Sequence, residues 1–282
     1  MEQKRADALS RRIYSDAQHE WERLVEKPSN WLELETTLLY MKRFLPKKGK
    51  VLDAGGGPGR YSIYLAKHGY RPTLFDLSAK HVAFAEKQAK AEKVVGRFDG
   101  FEVGSILDLS RFPSSTFDSV LCLGGPLSHI SSEGGRLKAL SELVRVAKKN
   151  SPIFVSVMGK WGTLASAPLW SMKSSIAEIR LTRRIMDIAT KGEDTMWRGR
   201  HYAHFFTLNE MRTLFSKIEN AKVLKSVGLQ GLSATWSDEY VRKLAKDERA
   251  WDNWLRVNSI AREVSAVVDT SRHFMIVARK TK

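Results

Sequence analysis

Val51-Leu52-Asp53-Ala54-Gly55-Gly56-Gly57-Pro58-Gly59-Arg60 is the stretch on which the fold turns. A short apolar strand closes on an acidic residue, and glycines then stand at alternate positions 55, 57 and 59. A helical pattern follows at once, with Tyr61, Leu65 and Ala66 on one face and Gly69 as its stop. Strand, glycine turn and helix in succession hold a polar or anionic cofactor against bare backbone at a helix N-terminus. Glycine suits the turn because a Cβ would block close approach or a positive φ. A dinucleotide fingerprint of the G-x-G-x-x-G type fails in both registers. Its third glycine falls on Arg60 counted from Gly55 and on Ser62 counted from Gly57. The Gly-Lys-Ser/Thr ending of a phosphate-binding loop is missing as well.

What stands here is acidic-x-Gly-x-Gly-x-Gly, which resembles motif I of the class I S-adenosylmethionine-dependent methyltransferases. A tight turn with no ligand is the alternative reading of such a loop. Downstream runs extend the match. Pro72-Thr73-Leu74-Phe75-Asp76 is an apolar strand ending in a carboxylate, placed to accept hydrogen bonds from ribose hydroxyls. Asp76 is also positioned to cap the next helix, but Ser78 is the better N-cap for the face Val82, Ala85 and Ala89. Val103 to Leu109 and Ser115 to Gly124 then resemble the family's adenine loop and its fourth strand. The resemblance implies S-adenosyl-L-methionine as cofactor, held by Asp53, Gly55, Gly57, Gly59, Asp76, Ser105, Ile106, Leu107, Asp108, Leu123 and Gly124. Ser105 departs from the acidic residue usual at that position, so the adenine amino group would meet the Ser105 hydroxyl, Asp108 or a backbone carbonyl.

From residue 50 to 158 strands and helices alternate, which predicts a parallel sheet with helices on both faces. Trp21, Leu24 and Val25, then Trp31, Leu34 and Leu38, predict two helices ahead of it, separated at Lys27-Pro28-Ser29-Asn30, with Asn30 as an N-cap. Residues 160–200 carry helical patterns and no strand signal. Thr207-Leu208-Asn209-Glu210 is a capping box, Ala221 to Leu224 a strand, and His273 to Ala278 the closing strand. This order resembles the class I methyltransferase fold: an α/β, doubly wound, mostly parallel seven-stranded sheet with N-terminal helices and helical insertions. The expected organisation is a helical segment over 1–45, a candidate lid, and a core over 46–282 with insertions at about 160–205 and 230–268. The family places substrate specificity in such segments. Residues 20–24, 124–129 and 269–273 further resemble a group of largely uncharacterised prokaryotic methyltransferases, a likeness that names no substrate.

The 282 residues suffice for one large domain or a core with a subdomain. No run is long and apolar enough to span a bilayer, and the charged start Met1-Glu2-Gln3-Lys4-Arg5 leads into no signal core, so the expectation is a cytoplasmic protein without a membrane partner. A single cysteine, Cys122, excludes an internal disulfide or a multi-cysteine zinc site. Lys and Arg number 47 against 31 Asp and Glu, a net charge of +16 that draws the chain toward anions, RNA among them. The basic residues are scattered among acids, however, as on a solvated surface, and no RNA-binding module is visible.

Methyl transfer needs chiefly positioning, with a base where the acceptor must lose a proton. His129, in the segment Gly124-Gly125-Pro126-Leu127-Ser128-His129 beyond the fourth strand, is the candidate for acceptor contact or base; packing or capping is its alternative role. His201 and His204 form an H-x-x-H pair without an evident third ligand, which argues against a metal and leaves substrate contact or loop packing. Tryptophans 161, 170, 197, 236, 251 and 254 could stack a planar substrate or fill a helical cap. A small-molecule acceptor is the leading expectation, with RNA methylation and non-catalytic cofactor binding as alternatives.

Overall fold

The computed structural model describes residues 3–14, 16–171, 177–197 and 201–282. Helices α1 (Gln3–Ile13), α2 (Ala17–Glu26) and α3 (Trp31–Phe44) precede β1 (Lys50–Ala54). The alternation continues with α4 (Arg60–Lys67), β2 (Arg71–Asp76), α5 (Ala79–Ala91), β3 (Gly100–Val103), β4 (Ser119–Cys122), α6 (Glu133–Val146) and β5 (Pro152–Met158). Next come α7 (Lys160–Ser171), α8 (Ala177–Lys191), β6 (Glu193–Trp197), β7 (His201–His204) and α9 (Leu208–Ser216). The chain closes with β8 (Ala221–Gly228), α10 (Asp238–Ala245), α11 (Glu248–Ala261), α12 (Ser265–Asp269) and β9 (His273–Lys280).

Seven strands form one sheet in the order β3-β2-β1-β4-β5-β9-β8. Pairings from β3 to β5 are parallel, and β9 inserts antiparallel between β5 and β8. β4 and β5 are buried along their whole length, the pattern of strands covered on both faces. Alternation divides their side chains between two cores. Leu52, Val120, Val155 and Ile276 pack with Leu140 and Leu143 of α6 and Leu214 and Phe215 of α9. Val51, Leu121, Phe154 and Val277 pack with Tyr40 and Met41 of α3 and Tyr61 and Leu65 of α4. The expected doubly wound sheet is therefore the one observed. Reversal of strand order at β1 and β4 opens a crevice at their carboxyl ends, where ligands of such sheets bind.

Local signals behave as their chemistry requires, with two exceptions. Ser78 and Thr207 cap α5 and α9 through side-chain bonds to the His81 and Glu210 amides. Asn30 does not cap α3: a 3₁₀ turn over Pro28–Asn30 runs straight into that helix, and the Asn30 amide instead donates to the Arg23 carbonyl at 2.9 Å. The all-helical expectation for 160–200 is corrected by β6, which pairs antiparallel with β7 in a two-stranded ribbon. Glu193-Asp194-Thr195-Met196-Trp197 shows no regular apolar alternation, and the ribbon's register shifts between Asp194 and Trp197. Buried Asp194 is held there by Arg184 of α8 at 2.5 Å, a tertiary contact invisible to periodicity. Among the described residues no helix is long and apolar enough to cross a membrane.

Candidate active site

The glycine turn after β1 is held by backbone pairing with β2. Gly55 and Gly56 N–H groups donate to the Phe75 carbonyl at 2.7 and 3.2 Å. Gly57 N–H donates to Asp76 Oδ2 at 2.8 Å, while Asp76 Oδ1 accepts from Ser78 N–H at 2.8 Å and faces His81 Nδ1 at 3.5 Å. Asp76 thus ties the end of β2 to the glycine turn. Gly59 opens α4 at φ +86°, where a Cβ would stand 2.8 Å from the Ala85 Cβ; its role is the close approach of α4 and α5.

Asp53 lies beneath the turn, with Oδ2 accepting from the Ser62 hydroxyl at 2.7 Å and Oδ1 without a partner. Burial, reinforced by the neighbouring Asp76 charge, pushes its carboxyl up to about 6. His81 Nε2 is likewise buried and unpartnered. Both residues line a cavity above the sheet, together with Gly55, Gly57, Asp76, Ser105, Ile106, Leu123, Gly124 and His129. Two unsatisfied buried polar atoms on one cavity are what a polar ligand would satisfy.

The cavity's other wall comes from the N-terminal helices. Gln3, Asp7, Ser10, Arg11 and Tyr14 line it from α1 and the residue after it, and Glu20, Arg23 and Leu24 from α2. α1 is fastened beside His129, because Gln3 Oε1 accepts from both the backbone N–H and the hydroxyl of Ser131, at 2.9 and 3.0 Å. Arg23 is braced by Glu20 and Glu33, and Glu33 also meets His273 Nδ1 at 3.0 Å. Burial alone would raise the Glu33 carboxyl; His273 and Arg23 outweigh it and hold the group well below the usual carboxylate range.

Residues 51–150, from β1 through α6, match the model of a family described as a methyltransferase domain. A putative methyltransferase of Bacillus subtilis is 23% identical over 204 residues, 68% of this chain and 77% of that one. A tRNA 5-carboxymethoxyuridine methyltransferase of Escherichia coli is 35% identical over 89 residues, 32% of this chain and 31% of that one. A glycine/sarcosine N-methyltransferase of Parasynechococcus marenigrum is 29% identical over 147 residues, 51% and 50% of the two chains. The chain therefore spans half or less of the latter two relatives. In fold it is similar to a crystal structure of an S-adenosylmethionine-dependent methyltransferase from Methanosarcina mazei, with a TM-score of 0.55, 18% identity and coverage of 86% and 97%.

Residues 51–150 form a methyltransferase domain, and the chain has the class I S-adenosylmethionine-dependent methyltransferase fold. S-adenosylmethionine is accordingly its cofactor. The cavity suits that molecule on its own chemistry: an unpartnered carboxylate oxygen, a bare glycine turn and a buried imidazole nitrogen complement its ammonium and hydroxyl groups.

Of the residues singled out from sequence, Gly59, Leu107 and Asp108 do not line the cavity. Leu107 packs against the core. Asp108 is exposed and caps the turn at Ser110 N–H, 3.0 Å away. Ser105 lines the cavity while its hydroxyl accepts from Leu107 N–H at 3.3 Å. His129 also lines it, with Nε2 2.9 Å from the Tyr14 hydroxyl and Nδ1 3.1 Å from the Tyr202 carbonyl. His204 is buried outside the lining and pairs with Glu210 at 2.6 Å. His201 occupies β7, but its side chain lies outside the described residues. Trp236 and Trp254 stack on each other at 4.4 Å, away from the cavity; the side chains of Trp170 and Trp197 lie outside the described residues. Burial, and then the Asp53 charge, pushes the Cys122 thiol up to about 12, which suits a packed residue and not a nucleophile.

The α1 wall is what sequence reasoning missed. Positions 3, 7, 10, 11 and 14 recur at helical spacing, so their polar side chains share one face. That stripe was the available signal.

Proposed function

We propose that this methyltransferase acts on a small-molecule acceptor, admitted to the cavity between α1 and His129. The observation that carries the reading is the α1 wall. Polar residues of α1 line the same cavity as Gly124 and His129, and the Tyr14 hydroxyl stands 2.9 Å from His129 Nε2, so a polar helix face bounds the side assigned to the acceptor.

When bound, S-adenosylmethionine supplies an electrophilic methyl group on a sulfonium. We assign the chain's residues around it as follows. Asp53 and the turn at Gly55 and Gly57 receive the aminoacyl end, with Arg23 as the cation for its carboxylate. Asp76 takes the ribose hydroxyls. Ser105 and Ile106 border the adenine, and Leu123 and Gly124 lie along the cofactor beside the acceptor. His129 faces the acceptor. These side chains hold the reactants in position, the effect worth up to roughly 7–11 kcal/mol in well-oriented reactions.

The glycine/sarcosine N-methyltransferase relative supports a small acceptor. The tRNA methyltransferase relative and the +16 charge support the second reading, an RNA acceptor. The two separate in one experiment: incubation with methyl-tritiated S-adenosylmethionine and whole-cell extract, followed by ultrafiltration. Label in the low-molecular-weight fraction is expected. Label confined to RNA, with retention on bulk RNA that falls steeply with salt, would transfer the assignment to the second reading.

A further inference from the structure

We propose that Tyr14 and His129 form a proton relay, and hence that the acceptor is an amine or hydroxyl compound that gives up a proton on methylation. This rests on the methyl-transfer reading above.

The tautomer is dictated by the surroundings of the imidazole. Nδ1 lies 3.1 Å from the Tyr202 carbonyl oxygen, which can only accept, so Nδ1 carries the hydrogen. In the neutral ring Nε2 is then a bare lone pair, and the Tyr14 hydroxyl, 2.9 Å away, donates to it. Both ring nitrogens are thereby engaged, yet both residues line the cavity. A proton arriving from the cavity reaches His129 by way of the Tyr14 oxygen. The rings stand 5.3 Å apart and tilted by 58°, in contact through their edges and not stacked face to face.

The step balances within the chain and the acceptor. The acceptor's X–H bond breaks, its electron pair staying on X, and the proton passes to Tyr14 Oη. The original Tyr14 proton moves to Nε2, giving an imidazolium whose Nδ1–H remains bonded to the Tyr202 carbonyl. In a hydroxyl or an ammonium group the pair kept on X is the one that takes the methyl group, whereas a neutral amine attacks with its lone pair and the N–H proton leaves by the same route afterwards. Tyr202 is fixed for this task, since its phenol donates to Glu193 at 3.0 Å and lies 3.4 Å from Arg136. Acceptors that attack through a carboxylate or a thioether bear no such proton and have no use for the relay.

The test uses the full chain, carbon-13-methyl S-adenosylmethionine and the ultrafiltrate of a cell extract. Product methyl groups are expected on nitrogen or oxygen atoms that carry hydrogen in the unmodified compound. Tyr14→Phe and His129→Gln should each lower kcat by about 100-fold or more, with S-adenosylhomocysteine affinity by calorimetry within threefold of wild type. A fastening role for Tyr14 would instead weaken that affinity and raise KM while sparing kcat. Nitrogen-15 histidine spectra of the protein without added acceptor should show His129 as the Nδ1–H tautomer. An Nε2–H tautomer, a methyl ester or sulfonium product, or Tyr14→Phe turnover within twofold of wild type would each overturn the relay. A wild-type protein that binds S-adenosylhomocysteine but labels nothing would defeat the transfer reading instead, and the tautomer would still decide the relay.

Discussion

Asp76→Ala should separate the cofactor role of the β2 carboxylate from its role in the glycine turn. Asp76 accepts from Gly57 and Ser78 N–H groups, both at 2.8 Å. Removing the carboxylate strips both amides of their acceptor. An unsatisfied buried group costs about 1–3 kcal/mol; because this site borders a cavity and is not sealed in the core, about 2 kcal/mol for the pair is the expected loss of stability. Cofactor binding loses more. Hydrogen bonds from hydroxyls to a charged acceptor are worth about 1.5–3 kcal/mol, which corresponds to roughly 10- to 150-fold in affinity. Calorimetric titration of S-adenosylhomocysteine into wild type and variant, each confirmed folded by urea denaturation, reads the difference. Equal affinities within twofold would refute the assignment, since the carboxylate would then serve the turn alone.

Asp53 sets a pH dependence. Its folded pKa of about 6 lies above the unfolded value near 4, so the native state binds the extra proton and stability falls as pH rises between those values, by about 3 kcal/mol; Asp53→Asn should flatten that slope in urea midpoints measured from pH 4 to 7. An ammonium group beside Asp53 favours the ionised form, so S-adenosylhomocysteine affinity should rise from pH 5 to 7 in wild type and not in Asp53→Asn. Gly59→Ala places a Cβ 2.8 Å from that of Ala85 at φ +86° and should cost about 2–5 kcal/mol in urea unfolding; a loss below 1 kcal/mol would mean that α4 and α5 separate freely. Glu33→Gln removes the buried carboxylate shared by half-buried Arg23 and His273, leaving Arg23 with Glu20, and should destabilise by about 1–3 kcal/mol, an expectation that an unchanged urea midpoint would contradict.

How much of this was legible beforehand follows from which contacts are local. The glycine turn, Asp76 and the Ser78 cap depend on residues within one strand–turn–helix unit, and spacing alone exposed them. The parallel sheet with helices on both faces followed from alternation of strands and helices, because covered parallel strands read as continuous apolar runs, and its seven strands came with the family resemblance. Asp108 could not be placed the same way: its short side chain bonds the next turn at Ser110, a choice between neighbours that no periodicity records. The histidine pair at 201 and 204 stood out in sequence, yet Glu210 holds His204 away from the cavity. α1 is the larger gap. Its polar stripe has the composition of a solvated face, and only docking against Ser131 and the segment ending at His129 turns that face inward. Tyr14 meets His129 across 115 positions of chain, a pairing set by tertiary packing.

Turnover of the cofactor distinguishes a small-molecule methyltransferase from the alternatives in a single assay. S-adenosylhomocysteine formed from S-adenosylmethionine should be followed by mass spectrometry with the low-molecular-weight fraction of a cell extract, with bulk RNA, and with neither. Formation should need the small-molecule fraction and match the methylated product one for one. Formation with RNA alone, or none under any condition by a protein that binds S-adenosylhomocysteine, would contradict the small-molecule assignment.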